Sequence, residues 1–144
     1  MVQPRIHVIT LAVADLDRAL AFYRDGLGFA SPGVIGTEFS GDAVNAEGAI
    51  ATFTLADGLV LALYPRSELA KDAAVAPGPP VSGEFSIGHA VRSRDEVDAV
   101  LATARAAGAT MLAEPRDRPW SIYSGYFQDP DGHLWEVLHN PALG

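Results

Sequence analysis

Ala49-Ile-Ala-Thr-Phe-Thr-Leu-Ala-Asp-Gly-Leu-Val-Leu-Ala-Leu-Tyr64 and Ser121-Ile-Tyr-Ser-Gly-Tyr-Phe-Gln-Asp-Pro-Asp-Gly-His-Leu-Trp-Glu-Val-Leu-His139 are one device written twice. Each is an apolar run, an Asp-Gly turn and a second apolar run, the signature of a β-hairpin. At an offset of 74 residues Phe53 falls on Phe127, Gly58 on Gly132, Val60 on Leu134, Leu61 on Trp135 and Leu63 on Val137. An offset that aligns both the turn glycine and the apolar positions marks an internal duplication.

The segments before the hairpins repeat too. Residues 5–13 are rich in β-branched side chains and read as a strand. Asp15 then suits a helix N-cap, and Leu16, Ala19, Leu20, Tyr23 and Leu27 follow at helical spacing until Gly26 and Gly28 stop the helix. In the second half residues 84–91 read as a strand, and Ser93 or Asp95 can cap a helix. Val97, Val100, Leu101 and Ala104 form its stripe, and Gly108 closes it. Between the halves, residues 73–83 contain Pro77-Gly78-Pro79-Pro80 and suit an extended linker, with one helical turn over 69–73 before it.

The expected fold is therefore α+β. Two βαβββ modules, about 5–72 and 84–140, make a single domain over 1–144. A curved mixed sheet carries helices 15–27 and 94–107 on its convex side and leaves a concave cup on the other, where small ligands bind.

Composition narrows the function. The chain has 144 residues, enough for a core without staples, and 49% of them are hydrophobic. Ten Lys and Arg against 18 Asp and Glu give a net charge of −8, which argues against nucleic acid as a partner. With no cysteine, disulfides, thiolate metal sites and cysteine nucleophiles are excluded. No apolar run approaches the ~18 residues of a membrane span. The uncharged run 8–14 ends in Ala12-Val13-Ala14, which mimics a cleavage site, but the segment is too short for a signal peptide. We read the protein as cytoplasmic.

Strand alternation assigns faces. If Trp135 and Val137 pack on a helix, Glu136 points into the cup with Leu134 and Leu138. Val8, Thr10 and Ala12 face inward from the first strand, and Ser86, Gly88 and Ala90 from its counterpart. A carboxylate amid Val8, Ala12, Val60, Ala62 and Leu138 would carry a raised pKa or demand a partner. Tyr64, Ser86, a ligand cation or a water can supply one. Pro119-Trp120-Ser-Ile-Tyr123-Ser-Gly-Tyr126 adds aromatic surface suited to an aromatic or cationic ligand, although Trp120 capping a loop and Tyr126 filling core is the plainer account. The candidate ligand-binding residues are Thr10, Tyr64, Ser86, Trp120, Tyr126 and Glu136, with Glu136 the catalytic residue if the protein is an enzyme. The mixed-charge stretches 92–96 and 114–118 read as solvated rims, and His133 and His139 as solvated side chains. No nucleotide-binding glycine loop and no Gly-x-Ser-x-Gly elbow occurs.

His7-Val-Ile-Thr-Leu-Ala-Val-Ala-Asp-Leu-Asp-Arg-Ala-Leu-Ala-Phe-Tyr-Arg-Asp-Gly-Leu-Gly-Phe29 resembles the opening of the vicinal-oxygen-chelate superfamily, which holds glyoxalase I, extradiol dioxygenases and bleomycin-resistance proteins. Gly125-Tyr-Phe-Gln-Asp-Pro-Asp-Gly-His-Leu-Trp-Glu136 resembles its closing hairpin, and the resemblance runs from about residue 5 to 140. It implies the βαβββ architecture and pairing of modules across a homodimer. In metal-dependent members it implies one ligand on each of four cup strands. Those positions here are Val8, Ala62, Ser86 and Glu136, and only Glu136 is a metal-competent side chain, whereas a metal site needs three or four donors. His7 and His89 are each one residue out of phase and would need a bulge to turn inward. The expectation is thus no cofactor and no metal, and a bleomycin-resistance-like protein that binds a small organic molecule. The alternatives are an enzyme of the same superfamily (a metal-dependent lyase or dioxygenase, or a metal-free isomerase using Glu136 as base) and a dimeric module with a packed cup.

Overall fold

The computed structural model describes residues 2–143 and bears out the duplicated order. The chain divides into two compact units between Pro79 and Pro80, inside the proline-rich stretch. The strands sort into two mixed ladders, one per unit: the first follows a βαβββ order, and the second follows the same order with one extra short strand after its helix.

In the first unit β1 (Val8–Val13) leads into α1 (Leu16–Leu20), and β2 (Val34–Ile35), β3 (Ile50–Thr54) and β4 (Val60–Pro65) follow, with sheet order β1-β4-β3-β2. Asp15 caps α1 by accepting the Arg18 N–H at 3.1 Å. Helix 15–27 does not continue as an α-helix: residues Ala21–Gly26 wind as a π-helix. The wider turn brings two successive rings inward, so Phe22 is buried beside Tyr23, while Leu27, expected in the stripe, is only half-buried. The two rings meet edge-on at 4.9 Å, and Tyr23 also lies 5.9 Å from Phe53 of β3. The single turn expected over 69–73 is a longer helix, α2 (Arg66–Ala73), starting directly after β4.

In the second unit β5 (Ile87–Ala90) precedes α3 (Arg94–Ala107). Ser93 accepts the Glu96 N–H at 3.1 Å, and Glu96 reaches back to the Arg92 N–H at 3.0 Å, a reciprocal arrangement close to a capping box. Gly108 ends α3 at φ +107°, the left-handed state open to glycine. Then come β6 (Thr110–Met111), a strand the sequence did not suggest, β7 (Arg116–Arg118), and the hairpin β8 (Ile122–Gln128) and β9 (Leu134–His139). The order is β5-β9-β8-β6, with β7 paired to β8.

Each sheet has one covered face. In the first unit α1 packs on β3 and β4, over Leu11, Val13, Phe53, Leu61 and Leu63. In the second α3 packs on β8 and β9, with Val97, Leu101 and Ala104 over Phe127, Trp135 and Val137. Phe127 and Trp135, opposite each other in the ladder, stack with planes 4° apart. Gly125 lets β8 pass close beneath α3: a Cβ there would stand 2.7 Å from the Leu101 Cδ1 and 3.2 Å from the Pro115 N. No helix among the described residues is long and apolar enough to cross a membrane.

Candidate functional site

The uncovered face of the second sheet collects the polar groups that the core excludes. Because Trp135 and Val137 are buried under α3, Glu136 is turned to the opposite face with Leu134 and Leu138, all three half-buried. The ladder gives Glu136 two neighbours on that face, Gly88 of β5 and Tyr126 of β8. Burial raises the Tyr126 phenol above its ordinary pKa, the Glu136 charge raises it further, and so does its hydrogen bond to that carboxylate. Tyr126, rather than Tyr64 or Ser86, is thus the ring that the ladder sets next to Glu136.

Arg118 joins them. The sequence reading placed residues 114–118 on a solvated rim, and for Arg118 that is corrected. Pairing of Arg118 with Ile122 and of Arg116 with Ser124 puts both arginines on the open face. Arg118 is half-buried there: its Nε donates to Ser124 Oγ at 2.5 Å and its Nη2 to Ser124 O at 3.2 Å. Its guanidinium carbon lies 5.3 Å from the centre of the Tyr126 ring, a cation–π distance. Asp117, one residue over, faces α3, where it pairs with Arg94 while that guanidinium covers the Tyr123 ring at 4.0 Å. Tyr123 in turn donates to Asp98 at 2.7 Å. The signal that could have found Arg118 is its two-residue phase with Arg116, hidden because both faces of β7 carry charge.

The other candidates lie apart from this cluster. Ser86 is exposed just before β5. Trp120 occupies the tip of the β7–β8 hairpin and is 86% exposed, so its ring is left largely uncovered by the described residues. Thr10 and Tyr64 belong to the first unit, where Thr10 is exposed in register with Ala62. The Tyr64 hydroxyl donates to the Glu47 carbonyl, in the loop between β2 and β3. The same loop is held by Glu68, which accepts the Glu47 N–H at 3.1 Å and pairs with Lys71 at 2.9 Å. Tyr64 therefore fastens a loop. A groove of about 370 Å³ between α3 and residues 111–115 lies on the helix-covered side and includes none of these candidates.

No group of three or more His, Cys, Asp or Glu able to hold a metal ion occurs among the described residues. His89 is in register with Val137, out of phase with the face of Glu136. His133 and His139 are not solvated as the sequence suggested. His133 Nδ1 lies 2.6 Å from the buried Asp129 carboxylate, four residues back across the turn, and His139 Nδ1 lies 3.3 Å from Val91 O.

A sequence model of the Glyoxalase/Bleomycin resistance protein/Dioxygenase superfamily matches residues 5–137. The crystal structure of a glyoxalase-related enzyme from Fulvimarina pelagi is 31% identical at a TM-score of 0.79, over 96% of this chain and 90% of that one. A glyoxalase/bleomycin resistance protein/dioxygenase from Nocardioides is 23% identical at a TM-score of 0.75, over 100% and 88% of the two chains. Lactoylglutathione lyase from Agrobacterium tumefaciens is 24% identical at 0.67, over 99% and 98%. The last two show a shared fold. No curated protein matches the chain.

Proposed function

The chain belongs to the Glyoxalase/Bleomycin resistance protein/Dioxygenase superfamily, and we propose that within it this protein binds a small organic molecule on the open face of the second sheet, without a resident metal. One observation carries the reading: Tyr126 and Glu136 are cross-strand neighbours on the open face, beside Gly88, Ala90, Leu134 and Leu138 and with Ser124 and Arg118 on the same face. An acid and a phenol set among apolar groups give a ligand both contact area and a fixed hydrogen-bonding point. Ser86 and Trp120 stand at the margins of the same unit, and Thr10 on the corresponding face of the first. The donor set supports metal-free binding, since one carboxylate cannot hold a divalent ion.

The same pair favours a second reading, a metal-free isomerase in which Glu136 takes a proton from one carbon of the bound molecule and returns it to a neighbouring one, while the Tyr126 hydroxyl donates to the charge that develops between the two transfers. The proposal also includes a homodimer in the cytoplasm, which the linker around Pro77–Pro80 permits by letting modules pair across chains. Sedimentation would then give about twice the 15.2 kDa of one chain.

The test is a thermal-shift screen of small molecules followed by calorimetric titration of the hits. Losing one partner of a desolvated charged hydrogen bond costs about 2–5 kcal/mol, so Glu136→Gln weakens binding about thirty-fold or more. Zn²⁺, Ni²⁺ and Fe²⁺ leave the melting temperature unchanged. Hits that bind Glu136→Gln as they bind wild type, or a metal-dependent rise abolished by that change, overturn the proposal.

A further inference from the structure

We propose that Arg118 determines the specificity of this site and selects an amphoteric ligand, one that carries an anionic oxygen at one end for Arg118 and a cationic or N–H donor at the other for Glu136. The inference rests on the proposed function above and names its ligand class.

Arg118 and Glu136 lie on the same face of one sheet, on either side of Tyr126. The guanidinium is over the Tyr126 ring, and Glu136 is the cross-strand neighbour of Tyr126 in the ladder. They form no ion pair with each other, and Asp117, the carboxylate next to Arg118 in sequence, is held by Arg94 on the opposite face. The plane of the Arg118 guanidinium is fixed by its two hydrogen bonds to Ser124, a fully buried residue. Those bonds use Nε and Nη2 and leave Nη1 with both donors unused among the described residues. A planar, immobilised fork with free N–H groups suits a carboxylate or phosphate oxygen. A ligand with a cation alone would satisfy Glu136 and leave a half-buried guanidinium uncompensated, which is how a site rejects a near relative.

Room for such a ligand exists beside Glu136. Its β5 neighbour is Gly88, with no side chain, and a Cβ built there would touch only Leu138 Cδ2 at 3.5 Å, an ordinary contact. Gly88 is not held by backbone strain or crowding, so enlarging it fills the space without unfolding the strand.

Three probes test the inference by calorimetry. In 4-(aminomethyl)benzoate an ammonium and a carboxylate sit at opposite ends of one ring, while benzylamine keeps only the ammonium and benzoate only the carboxylate. Wild type binds the zwitterion about tenfold or more tighter than either control. Arg118→Met erases the advantage over benzylamine by weakening the zwitterion, and benzylamine binds no more weakly than before, since no guanidinium is left uncompensated. Glu136→Gln erases the advantage over benzoate, and Gly88→Val weakens the zwitterion and benzylamine together. Arg118→Lys, which keeps charge but loses the Ser124 fork, retains part of the preference and guards against a folding defect in the Met variant.

Equal binding of zwitterion and benzylamine by wild type, or equal losses for both on Arg118→Met, overturns the inference. So does failure of all three probes to bind. A screened ligand that depends on Glu136 but ignores Arg118→Met overturns it too, while leaving the proposed function standing. Independence from Glu136 removes the proposed function first.

Discussion

Gly58 and Gly132, 74 residues apart, hold the same backbone state in the two units: φ is +90° at the first and +89° at the second. Each N–H donates at 3.0 Å to a carbonyl three residues back, Leu55 or Asp129. The return bonds match as well, Leu55 N–H to Leu59 O at 2.8 Å and Asp129 N–H to His133 O at 3.0 Å. The duplication inferred from the offset thus extends to individual turn hydrogen bonds.

Because nothing lies within 4 Å of a Cβ built at either glycine, alanine there meets no steric obstacle and its cost is that of the left-handed backbone alone. Gly58→Ala and Gly132→Ala should each lose about 1–2 kcal/mol in urea unfolding, and by the same amount within error. A loss at one position only would show that the turns are not equivalent.

The two faces of β9 predict opposite phenotypes for adjacent residues. Trp135 is 4% exposed and stacked on Phe127, so Trp135→Ala costs about 3–5 kcal/mol of stability. Glu136 is turned away from that core, and Glu136→Gln changes stability by no more than about 0.5 kcal/mol while weakening ligand binding. Denaturant titration of both variants decides the assignment. Normal stability for Trp135→Ala would invert the faces.

What the sequence made legible were features with strict periods and explicit punctuation. Helix α3 spans Arg94–Ala107 as expected, because Ser93 and Gly108 mark both ends. The faces of β1 and β9 were legible because alternation has a period of two. The π-helix was not, since the 3.6 and wider periods diverge too little over two turns to be told apart. Strand β7 was hidden because Arg116-Asp117-Arg118 has no apolar face, and Asp117 is neutralised by Arg94 from α3, a partner 23 residues away. Missing β7 meant missing Arg118. Tyr64 faces as alternation requires, yet its hydroxyl partner Glu47 lies in a loop that no sequence pattern places.

The loop between β2 and β3 should respond to acid. Asp42 accepts the N–H groups of Asn45 at 2.6 Å and Val44 at 2.8 Å, and the Asn45 amide at 3.0 Å. The hydrogen bonds from Asn45 and then Val44 hold its carboxyl at about 2, below the ordinary 3.8. A carboxylate whose folded pKa is depressed stabilises the fold above its unfolded pKa and loses that contribution as pH falls through the folded value. Amide protection at Val44 and Asn45 should therefore persist to about pH 4 and be lost toward about pH 2, with Asp42→Asn abolishing the transition. Protection that survives below this window would mean that the turn does not depend on the carboxylate.

Trp120 is held against its own backbone preference. Its φ is +63° and that of Ser121 is +61°, two successive non-glycine residues in the left-handed region at a hairpin tip. Such conformations cost about 1–2 kcal/mol each for residues with a Cβ, and strain of this kind concentrates at functional sites. The indole, 86% exposed, gains little burial among the described residues to offset that strain. Trp120→Gly removes the Cβ conflict but frees the unfolded chain, so the net change should be a gain of about 0–1 kcal/mol. Trp120→Ala keeps the conflict and should match wild type within about 0.5 kcal/mol. If Trp120 is a ligand contact, both variants weaken binding alike, by a smaller factor than Glu136→Gln, because both lose the ring. Urea unfolding and calorimetry on the pair separate backbone from side chain. A stability loss above about 1 kcal/mol in Trp120→Ala would mean that the indole packs on a surface of its own assembly, since loss of that size marks a buried contact.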